Sequence, residues 1–534
     1  MGKELTKTVK QYDKRVGITY VYENESYWCK VKKQPRSKRK IIGRLDPETN
    51  EVVPTRGRGR ARSKGECKTK EIHMEVYPTH RRYFYGLTYL FDQICDKIGL
   101  LDDLKTCFPD TYKQILSIAY YSIAEQNSAM YRFEKWSNLN KHPYGKDISS
   151  QRSSELFASI TEDSKFKFFK LQGRLRIENE FCGYDITSIS SFSQVLKQVL
   201  YGHNKENDPL PQINIALVFG EESELPFYYR KLAGNTPDSK TLPNLLADLS
   251  ILEFNNLKMV KDRGFYTESN INELYKRKVK FLVGAKKSTL FIRGEIDKVR
   301  DEIESFENYS LSHKCFGYAT STKWEYTNES GTTKEKKQMY VYIYYNKERA
   351  AEAEQKLTVT LANLYNELKS GKRIDKNKKL YEKYFKIFEK GKEIQIVPKK
   401  DVINEQIKYA GYFVYVSNLK MDIWDARHKY LRKDVVEKAF NNYKDRLGGR
   451  RNLVSSEQTL DGKLFVLFIA LIIMSYINKQ MNKNNIYVDY TMQQVMDKLE
   501  IIECFENEGK KTRVGEVTEK QKKLYEDLGV KPVA

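Results

Sequence analysis

The sequence has 534 residues, 40% of them hydrophobic and 31% charged, which is enough chain for a large elaborated core or for roughly three or four domains. With 94 Lys+Arg against 71 Asp+Glu, the net charge is +23, so the favoured partner is nucleic acid, then an anionic membrane surface, with a generally basic protein as the alternative. Seven scattered cysteines without a CxxC pair argue against a disulfide framework and a zinc site.

Residues 1–70 are predicted to form a basic, β-rich DNA-binding module and linker. They hold 20 Lys+Arg and 8 Asp+Glu, about half of the net charge. Short β-type runs over residues 17–53 are separated by turn signals at Asn24-Glu25 and Asp46-Pro47, which predicts a small twisted sheet. An RGRGRAR linker follows, with Arg56, Arg58, Arg60 and Arg62. This linker either tracks DNA or serves as a solvated tether.

Residues 71–170 carry apolar positions at spacings of three and four, which predicts a helical region for DNA binding or dimerisation. Residues 171–285 then change character. Strands are predicted at 175–186, 213–219, 226–232, 257–260 and 279–283, with helices at 239–252 and 268–277. Strands separated by helices predict a mixed α/β sheet covered on both faces, an order compatible with a ribonuclease H-like core.

The remaining chain is predicted to interrupt and then complete that core. Residues 286–404 are read as a β-containing insertion with one alternating strand at 339–345, and residues 405–480 as the second part of the core. The second part contains a strand at 411–416 and a helix at 423–446. Its apolar run at 464–477 is too short to span a bilayer comfortably and predicts a buried helix. A C-terminal region covers residues 481–534.

Three acidic residues stand out by their predicted positions. Asp185 ends the first core strand, Asp262 follows the fourth, and Glu437 lies in the late helix. Carboxylates at the carboxyl ends of strands face the crevice where α/β folds bind ligands. Two aspartates on adjacent strands and a glutamate from a nearby helix can hold two divalent cations that promote phosphoryl transfer. The alternative is that each acid is a helix cap or a turn residue.

The predicted late helix adds a pattern of polar side chains. Tyr430, Lys433, Glu437 and Lys444 fall within roughly 60° of one another on a continuous helix at about 100° per residue. One stripe then presents a carboxylate beside two cations and a phenol, which suits metal binding next to phosphate binding. A solvated salt-bridge face is the competing interpretation, since Lys433 and Glu437 are four residues apart.

Several blocks of this sequence, in the same order, resemble insertion-sequence transposases of the YREK class of DDE enzymes. They are YDITSISSFS, LPFYYRKLAGNTPDSKTL, MVKDRGFYTESNINELYKRKVKFLVGAK, GYFVYVSN and the late helix. The opening YVYENESYWCKVKKQPRSKRKIIGRLDPETNEVV is similar to one large branch of that superfamily. The resemblance covers roughly residues 17–480.

This resemblance implies a ribonuclease H-like fold with Asp185, Asp262 and Glu437 as its catalytic triad. Tyr430, Lys433 and Lys444 would take the Y, R and K places and contact DNA phosphates near the transposon end. Lys433 departs from the family's arginine, and a lysine lacks the bidentate fork.

Two further residues are weaker candidates for DNA binding. Trp324, in the predicted insertion, is the candidate for stacking on a flipped base, as some family members do, against packing on its own sheet. Arg263 is a candidate phosphate ligand beside Asp262, or an intramolecular partner of a carboxylate.

The expected activity is that of a transposase, with two Mg²⁺ ions as cofactors and Mn²⁺ as a substitute. It would bind terminal inverted repeats, cleave the element ends and join their 3′-hydroxyls to double-stranded target DNA, with hairpin excision as a family-based hypothesis. We expect a homodimer on DNA, because two element ends must be synapsed. We also expect a bacterial cytoplasmic location and no membrane association, because the scattered cysteines fit a reducing compartment and the N-terminus has no apolar signal segment. The alternatives are a non-cleaving DNA-binding regulator and a metal-dependent nuclease of the same fold without strand transfer.

Overall fold

The computed structural model describes residues 7–29, 34–55, 81–126, 129–177, 180–191, 196–202, 209–254, 256–327, 333–390, 393–441, 444, 446–447, 456–507 and 511–534. Within them, the side chains at positions 29, 175, 177, 239, 389, 390, 393 and 434–437 lie outside the description. The chain divides into two compact units, Met1–Tyr77 and Pro78–Ala534.

The first unit is an antiparallel meander. Its strands are β1 (Lys7–Asp13), β2 (Ile18–Cys29), β3 (Gln34–Leu45) and β4 (Val52–Val53), so the predicted small sheet is confirmed. The turn predicted at Asn24-Glu25 is wrong, because these residues pair with Arg39 and Lys38 inside the sheet. The predicted linker residues Arg56, Arg58, Arg60 and Arg62 lie outside the described residues.

The second unit opens with a short strand and the predicted helical region. These elements are β5 (Arg81–Phe84), α1 (Gly86–Lys97), α2 (Leu100–Cys107), α3 (Tyr112–Ala124), α4 (Phe133–Leu139), α5 (Ser150–Ser159) and α6 (Glu162–Ile177). Several of the helices bury one face at spacings of three and four residues, as in α1 with Leu87, Leu90, Phe91 and Ile94. This is the pattern expected of helices packed on one side.

The core sheet follows. Its first elements are β6 (Cys182–Ser190), β7 (Gln212–Gly220), β8 (Pro226–Ala233), α7 (Leu242–Ile251), β9 (Lys258–Lys261), α8 (Glu268–Lys276) and β10 (Lys280–Ala285). Strand β7 is antiparallel to β6 and β8, whereas β9 is parallel to β6 and β10 is parallel to β9. The resulting spatial order, β8-β7-β6-β9-β10, is that of a ribonuclease H-like core, which confirms the predicted fold class.

Strand β6 differs from the strand predicted at 175–186. Residues up to Ile177 belong to α6, and the strand runs from Cys182 to Ser190. Asp185 therefore lies within the strand and not at its end, which corrects the prediction. The strand continues because β7 pairs with it along its whole length, whereas β9 pairs with it only as far as Tyr184.

The predicted insertion is partly an extension of this sheet. After β10 come α9 (Leu290–Val299), β11 (Tyr309–Ser310), β12 (Cys315–Thr327), β13 (Lys334–Tyr345), α10 (Lys347–Lys369), α11 (Lys378–Tyr384), β14 (Phe385–Lys390), β15 (Glu393–Pro398), α12 (Lys400–Lys408) and β16 (Tyr412–Ser417). Strand β16 pairs with β10 on one side and with β13 on the other, and β12 and β11 follow outward. The sheet, nine strands wide over the described residues, thus takes in residues 309–345. Residues 347–408 form helices and a hairpin around their own small hydrophobic cluster.

The single helix predicted at 423–446 is wrong. Two helices occur instead, α13 (Ile423–Arg432) and α14 (Asp434–Asn441), with Lys433 between them. The backbone amide of Lys433 donates to the carbonyl of Tyr430 at 3.3 Å, an i to i−3 hydrogen bond that is not the i to i−4 bond of an α-helix. Lys444 lies beyond the end of α14. The four polar side chains of the predicted stripe therefore do not share one continuous helix.

The C-terminal part returns to the helical region. It contains α15 (Glu457–Lys483), α16 (Met492–Glu500), β17 (Glu503–Glu506), β18 (Arg513–Val514) and α17 (Glu519–Asp527). Helix α15 packs against α3, α5 and β8, and β17 pairs with β5. Among the described helices, α15 is long and apolar enough to cross a membrane, but 89% of its most apolar window is buried inside the protein. The predicted buried core helix is confirmed.

Candidate active site

Two aspartates follow the last paired residues of two neighbouring parallel strands. Tyr184 on β6 pairs with Lys261 on β9, the last pair between these strands, and Asp185 and Asp262 are the next residue of each chain segment. Adjacent strands are about 4.8 Å apart, and paired residues point to the same face. The Asp185 side chain is partly buried and that of Asp262 is 43% exposed, so both carboxylates are open to a ligand at this edge.

The third predicted acid belongs to a helix that packs on the strand of Asp185. Glu437 is on α14, which packs against β6 and β7, the strand of Asp185 and its neighbour. The Glu437 side chain lies outside the described part of the structure. Among the described residues, no group of three or more His, Cys, Asp or Glu side chains is placed to hold a metal ion. That set does not include Glu437.

Asp262 is held in its ionised form by neighbouring donors and cations. Its Oδ1 accepts a hydrogen bond from the Tyr430 hydroxyl at 2.9 Å and lies 3.5 Å from Lys433 Nζ. Burial alone would raise the pKa of this carboxyl. The charges of Lys433 and Arg263 and the bond from Tyr430 outweigh burial and lower the pKa below its usual value. An ionised, partly exposed carboxylate is the form that binds a divalent cation.

Tyr430 is positioned by a close approach of α13 to the sheet. Its ring stacks on Tyr415 of β16, with centroids 3.9 Å apart and planes 20° apart. Gly284 on β10 pairs with Tyr415, and a Cβ at Gly284 would run into the Tyr430 hydroxyl. Burial and then the charge of Asp262 raise the pKa of Tyr430. The hydroxyl therefore stays protonated and donates to Asp262.

The other candidate DNA ligands differ in their distance from Asp262 and in their exposure. Lys433 lies beside Asp262, as does Arg263, the next residue in the chain. Lys444 is 7% exposed and lies past the end of α14. Lys444 is therefore less accessible to a phosphate than the prediction of one continuous helix face suggested.

Trp324 is engaged inside the protein. It lies on β12, where its indole Nε1 donates to Asn272 Oδ1 at 2.7 Å and its ring meets the edge of Phe291 at 5.3 Å between centroids. These contacts agree with the packing interpretation of this residue. Stacking on a flipped base stays a prediction that would require this arrangement to open.

One lysine next to the site was not singled out from the sequence. Lys261 is 1% exposed, its Nζ has no hydrogen-bond partner among the described residues, and it lies 4.0 Å from the Tyr184 ring centroid. Burial lowers its pKa well below the usual value, against the opposing charge of Asp185. The sequence signal is a lysine at an inward position of a short buried strand.

A cavity of about 750 Å³ opens beside Asp262, on the side of β10 and β16. Tyr430 and aromatic residues of β16 form part of its wall. Its described lining contains six cationic side chains, Arg263, Lys286, Lys287, Arg349, Arg427 and Lys433. We call it the basic cavity. Sequence reasoning missed Lys286, Lys287, Arg349 and Arg427, because they come from segments far apart in the chain.

Comparison with known proteins gives a family match and a similarity to solved structures. The sequence profile described as "Transposase DDE domain" matches residues 184–473, a segment that contains Asp185, Asp262 and Glu437. A piggyBac transposase, solved by cryo-EM as a synaptic complex with hairpin DNA, is 12% identical with a TM-score of 0.30, covering 77% of this chain and 70% of that chain. No protein with curated function matches the sequence significantly.

Proposed function

This chain belongs to the transposase DDE domain family, and from that premise we propose that it cuts and joins DNA with Asp185, Asp262 and Glu437. One observation carries the proposal. Tyr184 and Lys261 form the last pair between parallel strands β6 and β9, and Asp185 and Asp262 are the residues that follow them, which supports a shared site. Helix α14, which bears Glu437, packs on the strand of Asp185. Carboxylates so arranged are suited to divalent metal ions.

Members of this family generally use divalent metal ions, and we propose Mg²⁺ here, with Mn²⁺ as a substitute. Two such ions, held by the three carboxylates, would activate the attacking oxygen and stabilise the leaving oxygen. The protein's own part is to keep the ligands ionised and oriented. Tyr430 and Lys433 do this for Asp262 through a hydrogen bond and a charge.

We further propose the YREK class, with Tyr430, Lys433 and Lys444 as the residues that face phosphates of the element end. The position of Lys433, 3.5 Å from Asp262, supports a role beside the bond that is cut. Lysine acts there as a point charge and does not offer a bidentate fork. Double-stranded DNA would also contact the basic N-terminal module, and the active species would be a homodimer on DNA in the bacterial cytoplasm.

The decisive experiment uses a DNA fragment that carries the element's own ends, incubated with the full chain with and without Mg²⁺. We expect cleavage at those ends and joining of the 3′-hydroxyl to a target plasmid, both dependent on the metal. Both products should vanish in Glu437→Ala and Asp185→Asn proteins. Asp301→Asn, at an exposed position outside the site, should behave as the unmodified chain.

The same assay separates the competing functions. Cleavage without joining, when precut ends and target are supplied, would indicate a nuclease and contradict the transfer step. Binding of the ends with no metal-dependent product in any condition would indicate a regulator and contradict the proposal as a whole.

A further inference from the structure

We propose that the basic cavity binds the phosphodiester backbone of the DNA strand next to the bond that is cut, with Arg427 and Arg349 as phosphate ligands. The inference rests on the proposed function for the identity of the strand. It adds a binding site beyond the proposed triad, and Arg349 comes from the segment that interrupts the core.

Arg427 is the first observation. Its side chain on α13 is 8% exposed, yet it lines the cavity. One guanidinium nitrogen donates to the Tyr415 hydroxyl at 3.0 Å, and Nε has no hydrogen-bond partner among the described residues. Its guanidinium lies 4.5 Å from the centroid of the Phe413 ring. A largely buried guanidinium is costly without an opposite charge nearby, and an anion in the cavity would offset part of that cost.

Further cations line the cavity with Arg427. Arg349, on α10, places its guanidinium 5.4 Å from the same Phe413 ring. Lys287 donates to the backbone carbonyl of Tyr409 at 2.9 Å. Within the described part of the chain, none of these three cations has a carboxylate within 4.0 Å. Burial, and after it the nearby charge of Arg263, lowers the pKa of Lys287.

The cavity borders Asp262, one of the two aspartates of the candidate site. Asp262, Tyr430 and Lys433 form part of its wall, so a chain of phosphates that reaches Asp262 can continue into it. A single small anion would neutralise part of this lining, whereas a backbone with one charge per nucleotide can meet several of the cations in turn. Arginine suits such a site because its planar fork matches phosphate oxygens.

The first test is local protection of an introduced cysteine. Ala353→Cys, exposed on α10 and lining the cavity, is compared with Lys356→Cys on the same helix outside it. Both full-length proteins react with a maleimide in EDTA, with duplex DNA, single-stranded DNA or inorganic phosphate added. The unmodified chain gives the background of the native cysteines. With DNA about tenfold above its dissociation constant, we expect roughly tenfold slower reaction at position 353 and no change at position 356.

The second test is the salt dependence of DNA binding, again without metal. Arg349→Glu should weaken binding and remove at least one phosphate contact. The slope of log K against log salt should therefore decrease in magnitude by at least about 0.9 for duplex DNA or 0.7 for single strands. Lys356→Glu is the matched charge reversal and should leave the slope as it is. Arg349 is exposed, so its replacement should not unfold the protein.

Equal reaction rates at position 353 with and without bound DNA would overturn the inference, as would equal slopes for Arg349→Glu and the unmodified chain. Protection by inorganic phosphate as strong as that by DNA would also overturn it, since the occupant would then be a small anion. Because no step requires cleavage, the inference can fail while the transposase assay succeeds. Conversely, protection can hold in a protein that never cuts DNA.

Discussion

The carboxylate pair, Asp185 and Asp262, adjoins the basic cavity through Asp262, but the charges of the two regions are arranged in opposite ways. At the pair, Asp262 receives a hydrogen bond from Tyr430 and faces Lys433, so the charge on this carboxylate is balanced within the protein. In the cavity, Arg349 and Arg427 lie against an aromatic ring, with no carboxylate within ion-pair distance in the described residues.

This difference separates chemistry from binding. A carboxylate already held by a phenol and an ammonium is oriented before any ligand arrives, which is how a catalytic group is preorganised. Cations gathered without counterions gain their partner when a polyanion binds. Substitutions at the pair should therefore change cleavage more than affinity, and substitutions in the cavity should change affinity and its salt dependence.

The largest expected effect is that of Asp262→Asn. The substitution removes a proposed metal ligand, so the loss of cleavage should exceed the roughly 10- to 100-fold that removal of a ligand's partner costs. Affinity for DNA in EDTA should stay equal or increase, because a negative charge near the phosphates is lost. Cleavage rates at saturating DNA and binding isotherms would measure the two. An equal loss of cleavage rate and of DNA affinity would contradict the assignment of catalysis to the carboxylate pair and of binding to the cavity.

Tyr430→Phe should produce the next largest effect. It removes the hydrogen bond to Asp262 Oδ1 but keeps the ring on Tyr415, so we expect a decrease in cleavage of about 10- to 100-fold. The pKa of Asp262 should rise toward its usual value. A carboxyl with a lowered folded-state pKa stabilises the protein above its unfolded-state pKa, and this stabilisation is lost as the pH falls through the folded-state pKa.

Urea unfolding of the Tyr430→Phe protein in EDTA would test the pH dependence. The difference in stability from the unmodified chain should be present at neutral pH and should shrink as the pH falls below about 4. A difference that does not depend on pH would show that the hydroxyl acts on something other than Asp262.

Gly284→Ala probes how closely α13 must approach the sheet. The added methyl group would meet the Tyr430 hydroxyl, and overpacking of this kind costs about 1–3 kcal/mol. We expect a lower midpoint of unfolding and reduced cleavage. Gly294→Ala, where an added Cβ meets nothing within 4 Å, is the matched control. Reduced cleavage at unchanged stability would mean that Tyr430 moves away from Asp262 and that the fold absorbs the methyl group.

Much of the core was predictable because its strands are short, apolar runs between clear breaks. Strands β7 and β8 and helix α7, with its early proline, lie close to their predicted positions. The aspartates were recognisable because each belongs to such a run. The prediction placed Asp185 at a strand end because no local signal in the sequence shows that β7 pairs with β6 beyond Tyr184.

The late helix shows where periodicity stops being informative. The spacing of Tyr430, Lys433 and Glu437 continues across a break that contains neither proline nor glycine. Lys433 leaves the helix where its ammonium approaches Asp262, a tertiary contact with no local signature. The basic cavity could not be predicted because it also depends on tertiary contacts. Arg349 on α10 and Arg427 on α13 are separated in the chain by α11, β14, β15, α12 and β16.

The smallest effect we argue concerns Lys433, at the position where the proposed YREK class would have arginine. Lys433→Arg keeps the charge, so the salt slope of DNA binding should not change. The planar fork can engage a carboxylate or phosphate through two bonds, and we expect affinity for the element end to rise by a few fold, at most about 1 kcal/mol. Lys433→Met, which removes the charge, should instead lower the slope by about 0.9. If the Lys433→Arg and Lys433→Met proteins both kept the slope of the unmodified chain, Lys433 would not contact a phosphate. Its role would then be confined to Asp262, and phosphates would be bound by residues of the cavity.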